Sequence, residues 1–180
     1  PTITGVTLAS DNSTITVTFS ETVWNYDVNS SGSLEVTDFV FALSGGTASL
    51  SSTTPSSISI NGTEYTLGIS LSGTPNGSEI LTVNPALDSI YDIVGNVAST
   101  SQSNNSISLN DKLSPTMTIS SSTVNSGETS NDSTISLTFT SSESTTNFIA
   151  SDITISGGSL SSFSGSGTTY TATLTPSGDA

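Results

Sequence analysis

The sequence predicts an all-β protein built as two tandem antiparallel β-sandwiches, the second incomplete at its C-terminal end. Three observations predict it. Apolar residues alternate with Thr and Ser in short runs, which is the period of a strand with one buried face. Pairs such as Asn61-Gly62 and Asn76-Gly77 punctuate those runs, and both residue types tolerate the positive φ of tight turns. The chain also repeats itself, with four landmarks recurring in one order.

Thr14 to Phe19 is the first clear strand, with Ile15, Val17 and Phe19 inward and β-branched Thr outward. Phe39 to Leu43 continues the pattern with Phe39, Phe41 and Leu43 inward. Glu64 to Leu71 reads as one strand with Tyr65, Leu67, Ile69 and Leu71 on one face. Glu79 to Val83 follows the Asn76-Gly77 turn, and Ser106 to Leu109 closes the first copy with Ile107 and Leu109 inward. Tyr91 to Val94 has room for one helical turn at most. Strands of this length with turns between them indicate antiparallel sandwiches, and residues 1–114 suit seven or eight strands.

The repeat aligns Pro1-Thr2-Ile3 with Pro115-Thr116-Met117, and Ser13 to Phe19 with Ser133 to Phe139. It aligns Asp38-Phe39 with Asp152-Ile153, and Leu43-Ser44-Gly45-Gly46 with Ile155-Ser156-Gly157-Gly158. The last landmark sets Gly62-Thr63-Glu64-Tyr65 against Gly167-Thr168-Thr169-Tyr170. Loops are shorter in the second copy, most of all where the first carries Trp24 to Glu35. The expected organisation is a sandwich at 1–110, a linker at 111–114 and a second, truncated sandwich at 115–180. The second copy has no counterpart to Thr74–Leu109. Either the segment is cut short there, or another chain donates the missing strand and makes the segment a subunit of a homo-polymer. Residue 1 is the Pro that opens a repeat, which suggests a piece of a longer array or a removed leader.

Charge and composition exclude several classes. There are 15 acidic residues and one basic residue, for a net charge of −14, and only 9% of residues are charged. Such a surface repels nucleic acid and anionic lipid and attracts divalent cations. No apolar run approaches the length of a membrane span, so membrane insertion of this segment is not expected. Ser, Thr, Gly and Asn fill the polar positions, which suggests an extracellular or cell-surface protein. With no Cys and no His, thiolate chemistry and His-based acid–base or metal chemistry are absent. The only basic partner for a Ser nucleophile is Lys112, in a polar stretch where a solvated lysine is expected. No pair of acids suggests a glycoside-cleaving cleft.

The Pro-Thr-Ile start, the strand Thr16 to Glu21 and the loop Asp92-Ile93-Val94-Gly95-Asn96 resemble the bacterial immunoglobulin-like domains of tandem-repeat secreted and cell-surface proteins. The loop is similar to the Asp-x-x-Gly-Asn turn that often precedes the last strand in that family. The resemblance extends over nearly the whole chain. It implies immunoglobulin-like sandwiches, packed beside neighbouring repeats of the same protein. The implied role is that of a non-catalytic spacer or adhesive module, sometimes stabilised by calcium. The Cys…Trp…Cys framework of antibody domains is absent.

Calcium takes six to eight oxygens, and three groups of residues offer them. One is Asp88, Asp92 and Asn96; another is Asn110 with Asp111; the third is Asp11-Asn12 with Glu21 and its counterpart Asn131-Asp132 with Glu143. None has the EF-hand pattern, and Asx turns account for the same residues without a metal. Trp24, Tyr26 and Tyr91 are the candidates for an aromatic platform that stacks on sugar, which keeps an accessory carbohydrate-binding module as the alternative function.

Overall fold

The computed structural model describes residues 1–26 and 32–178. Residues 27–31, inside the Trp24–Glu35 stretch that the second copy lacks, lie outside the described residues. The chain divides into two units, Pro1–Leu113 and Ser114–Ala180. Residues 111–113, read from sequence as linker, thus group with the first unit. The Lys112 N–H donates to the Pro75 carbonyl at 2.9 Å and the Leu113 N–H to Asp111 Oδ1 at 2.9 Å. Among the described residues all regular structure is β, apart from two single 3₁₀ turns.

In unit 1, β1 (Ile3–Leu8), β2 (Thr14–Phe19), β5 (Ile58–Asn61) and β6 (Glu64–Gly68) form one sheet in the order β1-β2-β6-β5. A second sheet has the order β3-β8-β9, from β3 (Phe39–Ser44), β8 (Ile80–Pro85) and β9 (Ser106–Ser108). The short pair β4 (Ser49–Leu50) and β7 (Leu71–Ser72) completes the unit. Every ladder is antiparallel. The inward residues of the two main sheets form one core, including Ile15, Val17, Leu67, Phe41, Leu81 and Val83, all almost fully buried. Phe19 and Tyr65 meet Phe39 of the opposite sheet at ring distances of 6.3 and 6.2 Å. Two sheets face to face over such a core make a sandwich, and each buried aliphatic side chain contributes about 2 kcal/mol.

Two predicted strands differ in detail. The run Glu64 to Leu71 is broken after Gly68. There the Ile69 N–H turns to the Ser13 carbonyl and the Ser51 N–H takes the Ser70 carbonyl, so Leu71 joins β4 in a separate ladder. In the β5–β6 hairpin Asn61 pairs with Glu64, so the turn residues are Gly62 and Thr63, with φ +62° at Gly62. Glycine at the first turn position is the II′ arrangement.

Unit 2 rebuilds the first sheet. β10 (Met117–Ser121), β11 (Ile135–Thr145) and β12 (Gly158–Pro176) pair in that order. β12 doubles back on itself. Ser164 Oγ lies 3.3 Å from Thr171 Oγ1, and the Ser177 N–H donates to the Gly157 carbonyl at 2.9 Å. The bend falls at Gly167, with φ +67°, the equivalent of Gly62. With its two halves counted separately, the sheet has the order of β1-β2-β6-β5.

A 3₁₀ turn recurs as well, at Val36–Asp38 and Ala150–Asp152. In each, the Asp side chain accepts the N–H three residues back, from Glu35 at 2.7 Å and Ile149 at 3.0 Å. Among the described residues the second sheet does not recur. Ile153–Ser156, the counterpart of β3, belongs to no ladder. A small aromatic core of Phe139, Phe148, Phe163 and Tyr170 holds unit 2 together, with ring distances of 5.1–6.4 Å.

The register of β11 departs from the sequence alignment. Tyr65 pairs with Val17, but Tyr170 pairs with Phe139; Ile3 pairs with Phe19, but Met117 with Ser141. β11 therefore sits two residues along, with Phe139 in the place of Val17 and Leu137 in that of Ile15. An even slip keeps every side chain on its own face, so alternation alone does not forbid it.

Candidate functional site

The predicted calcium ligands are distributed over both units. Asp92 and Asn96 do come together. Asp92 Oδ1 accepts the Val94 and Asn96 N–H groups at 3.0 and 2.8 Å, and Oδ2 accepts Asn96 Nδ2 at 2.8 Å. The Asn96 side chain and these amides hold the Asp92 carboxyl below its ordinary range. Both oxygens thus close the turn that the motif marks. Asp88 is exposed, with φ +50°, and its carbonyl accepts the Tyr91 hydroxyl at 2.8 Å.

Asn110 is tied elsewhere. Its N–H donates to Asn12 Oδ1 at 2.9 Å, and Asn12 Nδ2 returns a bond to the Asn110 carbonyl at 2.8 Å. That reciprocal pair fastens the β1–β2 turn to the end of the closing strand. Asp111 accepts the Leu113 N–H, and Asp132, in unit 2, is bonded to Ser130. Among the described residues no three acidic side chains gather into a metal-binding group.

One carboxylate escaped the sequence reading. Glu79, taken as the first residue of a strand, is fully buried in unit 1. Its Oε1 accepts the N–H groups of Thr47 and Ala48 at 2.7 and 2.9 Å, and Asn76 donates to both oxygens at 3.1–3.2 Å. Burial by itself raises the carboxyl. The backbone donors more than offset it and hold the group down to about 2. Gly46 makes the approach feasible, since a Cβ there would stand 2.1 Å from Oε1. Glu79 staples the β3–β4 loop to the Asn76-Gly77 turn, and all its donors are backbone. The spacing Asn76-Gly77-Ser78-Glu79, an acid three residues after the amide it receives, was the available signal.

Two of the three aromatic candidates are adjacent. Trp24 and Tyr91 form an isolated antiparallel bridge, with N–H to carbonyl distances of 2.9 and 2.8 Å, and Tyr91 bridges on to Val97. Directly opposed residues point to one side, so Trp24, Tyr91 and Val97 form a row. Ile90, Asp92 and Ala98, the alternate residues, are buried beneath it. Trp24 and Tyr91 are half-buried, Val97 is exposed, and Tyr26 nearby in sequence is exposed. No sequence signal joins Trp24 to Tyr91 across that separation. The third class of candidate, Lys112, is exposed, and its backbone N–H donates to the Pro75 carbonyl.

No curated protein and no solved structure matches the chain. Among the described residues no helix is long and apolar enough to cross a membrane. A family model described as "Bacterial Ig-like domain" matches residues 111–180, the last three residues of unit 1 and the whole of unit 2.

Proposed function

We propose that the chain is a non-catalytic structural or adhesive repeat of an extracellular bacterial surface protein or filament. The observation that carries this reading is the duplicated sheet, with its duplicated hairpin turn and Asp-capped 3₁₀ turn, in a chain whose residues 111–180 match the bacterial Ig-like family model. Serial copies of one module serve length and presentation. The Ser- and Thr-rich surface with net charge −14 supports solubility and self-repulsion along an array.

The test is mechanical. The chain, stretched between handles, is expected to give two separate unfolding events with unit 1 the stronger. Extension without resistance from either unit would remove the load-bearing role.

A second reading, an accessory carbohydrate-binding module, is favoured by the Trp24–Tyr91–Val97 row. Trp24 is the only tryptophan, so its emission reports contact with a stacked sugar. A glycan array should then show retention that Trp24→Ala abolishes, while the spacer reading expects none. Calcium is a further proposal, resting on the acid excess. Millimolar calcium should raise the melting temperature relative to chelator, by about 2.7 kcal/mol of stabilisation at 100 times the dissociation constant. Equal melting temperatures remove it.

A further inference from the structure

Asn61-Gly62 and Asn76-Gly77 have the same sequence and different surroundings. No other asparagine in the chain is followed by glycine. Each pair sets an asparagine side chain beside a main-chain nitrogen that no Cβ hinders.

Asn76-Gly77 is clamped. The Asn76 N–H donates to the buried Glu79 at 3.1–3.2 Å, and Asn76 Oδ1 accepts the Ser78 N–H at 3.1 Å. A Cβ at Gly77 would stand 3.3 Å from Asp111 Cβ, and the Pro75 carbonyl accepts the Lys112 N–H at 2.9 Å. Rotating this peptide requires the release of Glu79, which is fully buried. Asn61-Gly62 is open. Both residues are exposed, and a Cβ at Gly62 would meet nothing within 4 Å. Among the described residues neither the Asn61 side chain nor the Gly62 N–H has a hydrogen-bond partner. The pair forms the tip of the β5–β6 hairpin, and β5 is the edge of its sheet. Opening the tip breaks the Asn61–Glu64 pair and leaves Ile60–Tyr65 in place behind it. Such fraying lies at the low end of local opening free energies.

We propose that Asn61 is a site of spontaneous covalent modification, by loss of its side-chain amide, and that the fold protects Asn76 from the same reaction. In the opened tip the extended backbone at Asn61 rotates, and the Gly62 nitrogen reaches Asn61 Cγ. That nitrogen gives up its proton to base and bonds to Cγ. The Cγ–Nδ2 bond breaks, and Nδ2 takes up a proton and leaves as ammonia. Water then opens the cyclic imide. Attack at Cγ gives Asp. Attack at the main-chain carbonyl gives isoaspartate, with the chain routed through the former side chain. The net change is one water consumed and one ammonia released. Either product sets a carboxylate opposite Glu64, and like charges directly opposed destabilise a hairpin. Isoaspartate also adds a carbon to the main chain beside the tight turn. The change is permanent, so the tip of β5 records the age of the molecule. The inference concerns unit 1 alone and is independent of the surface role proposed above.

The intact chain is incubated in mildly alkaline buffer beside a sample unfolded in urea. Chymotryptic peptide mapping by mass spectrometry then follows both asparagines. The expected result in the folded chain is conversion at Asn61 at least about tenfold faster than at Asn76, with ammonia released in step. In urea the two should convert at comparable rates, because their local sequence is the same. Asn61→Gln should abolish the fast phase, since the longer side chain closes the ring poorly, and leave Asn76 unchanged. Equal rates in the folded chain, or faster conversion at Asn76, would overturn the proposal. So would a folded chain that converts at neither site while the urea sample converts at both, or a rate difference that survives in urea.

Discussion

The two units carry the same local instructions and reach different ends. Each has the glycine-led hairpin turn, the Asp-capped 3₁₀ turn and the four-strand sheet order. After the 3₁₀ turn, Phe39–Ser44 becomes a strand and Ile153–Ser156 does not. Both segments alternate apolar and polar residues, and both follow the same cap. The difference is the neighbour, since β3 has β8 beside it and Ile153–Ser156 has no ladder partner among the described residues. A strand is a property of the pair, because its N–H and C=O groups are satisfied only across a ladder. The core follows the same logic. One spans two sheets; the other is four aromatic rings gathered at one end of a single sheet.

Deleting matched side chains should expose that contrast most strongly. Ile15 and Leu137 occupy the same place on the sheet, opposite Leu67 and Ala172. Ile15→Ala should cost about 4 kcal/mol, and Leu137→Ala about half of that or less, because its cavity is already open to water. Urea unfolding followed by Trp24 emission for unit 1 and by amide exchange for unit 2 measures both. Equal losses would mean that unit 2 is covered in solution.

The next largest effect belongs to Glu79, which has no counterpart in unit 2. Glu79→Ala should destabilise unit 1 by about 3 kcal/mol, since it strips several backbone N–H groups of a charged acceptor. The folded carboxyl lies at about 2 against an ordinary 4.5. Its contribution is therefore complete above about 4.5 and is lost as pH falls from there toward 2. An acid titration of melting temperature should show this decline in unit 1 and its disappearance in the variant. Unit 2 should be indifferent to the substitution.

The smallest effect tests what the units share. Gly62 and Gly167 have φ of +62° and +67°. Gly62→Ala and Gly167→Ala should each cost about 1 kcal/mol, because the penalty is local to the backbone. Different costs would show that the turn depends on the sheet behind it.

Strand faces were legible in the sequence because period-two alternation is a direct imprint of one buried side. Thr14–Phe19 is an instance in which the run and the strand coincide. Register was not legible. The two-residue slip of β11 preserves every inward side chain, so the alignment of Phe139 with Phe19 looked sound while the fold seats Phe139 against the tyrosine. The break after Gly68 was hidden for a related reason. Ile69 and Leu71 keep the alternation while their backbone changes partners. At the candidate sites, Asp92 and Asn96 were found as a pair because a turn brings near neighbours together. The Trp24–Tyr91 bridge joins residues far apart in the chain and no local pattern announces it, while the Asn76-to-Glu79 spacing marks the turn but not the distant Thr47 and Ala48 amides that Glu79 also takes.

Lys112 has a consequence outside folding. It is the only Lys or Arg in 180 residues, it is exposed, and it lies beside the boundary between Leu113 and Ser114. A protease that cuts only after basic residues finds a single target. Scission there leaves the strands of both units whole, because Asn110–Leu113 belongs to no strand. A chain of this composition is thus nearly invisible to trypsin-like enzymes, and the one cut it permits separates its modules rather than destroying them.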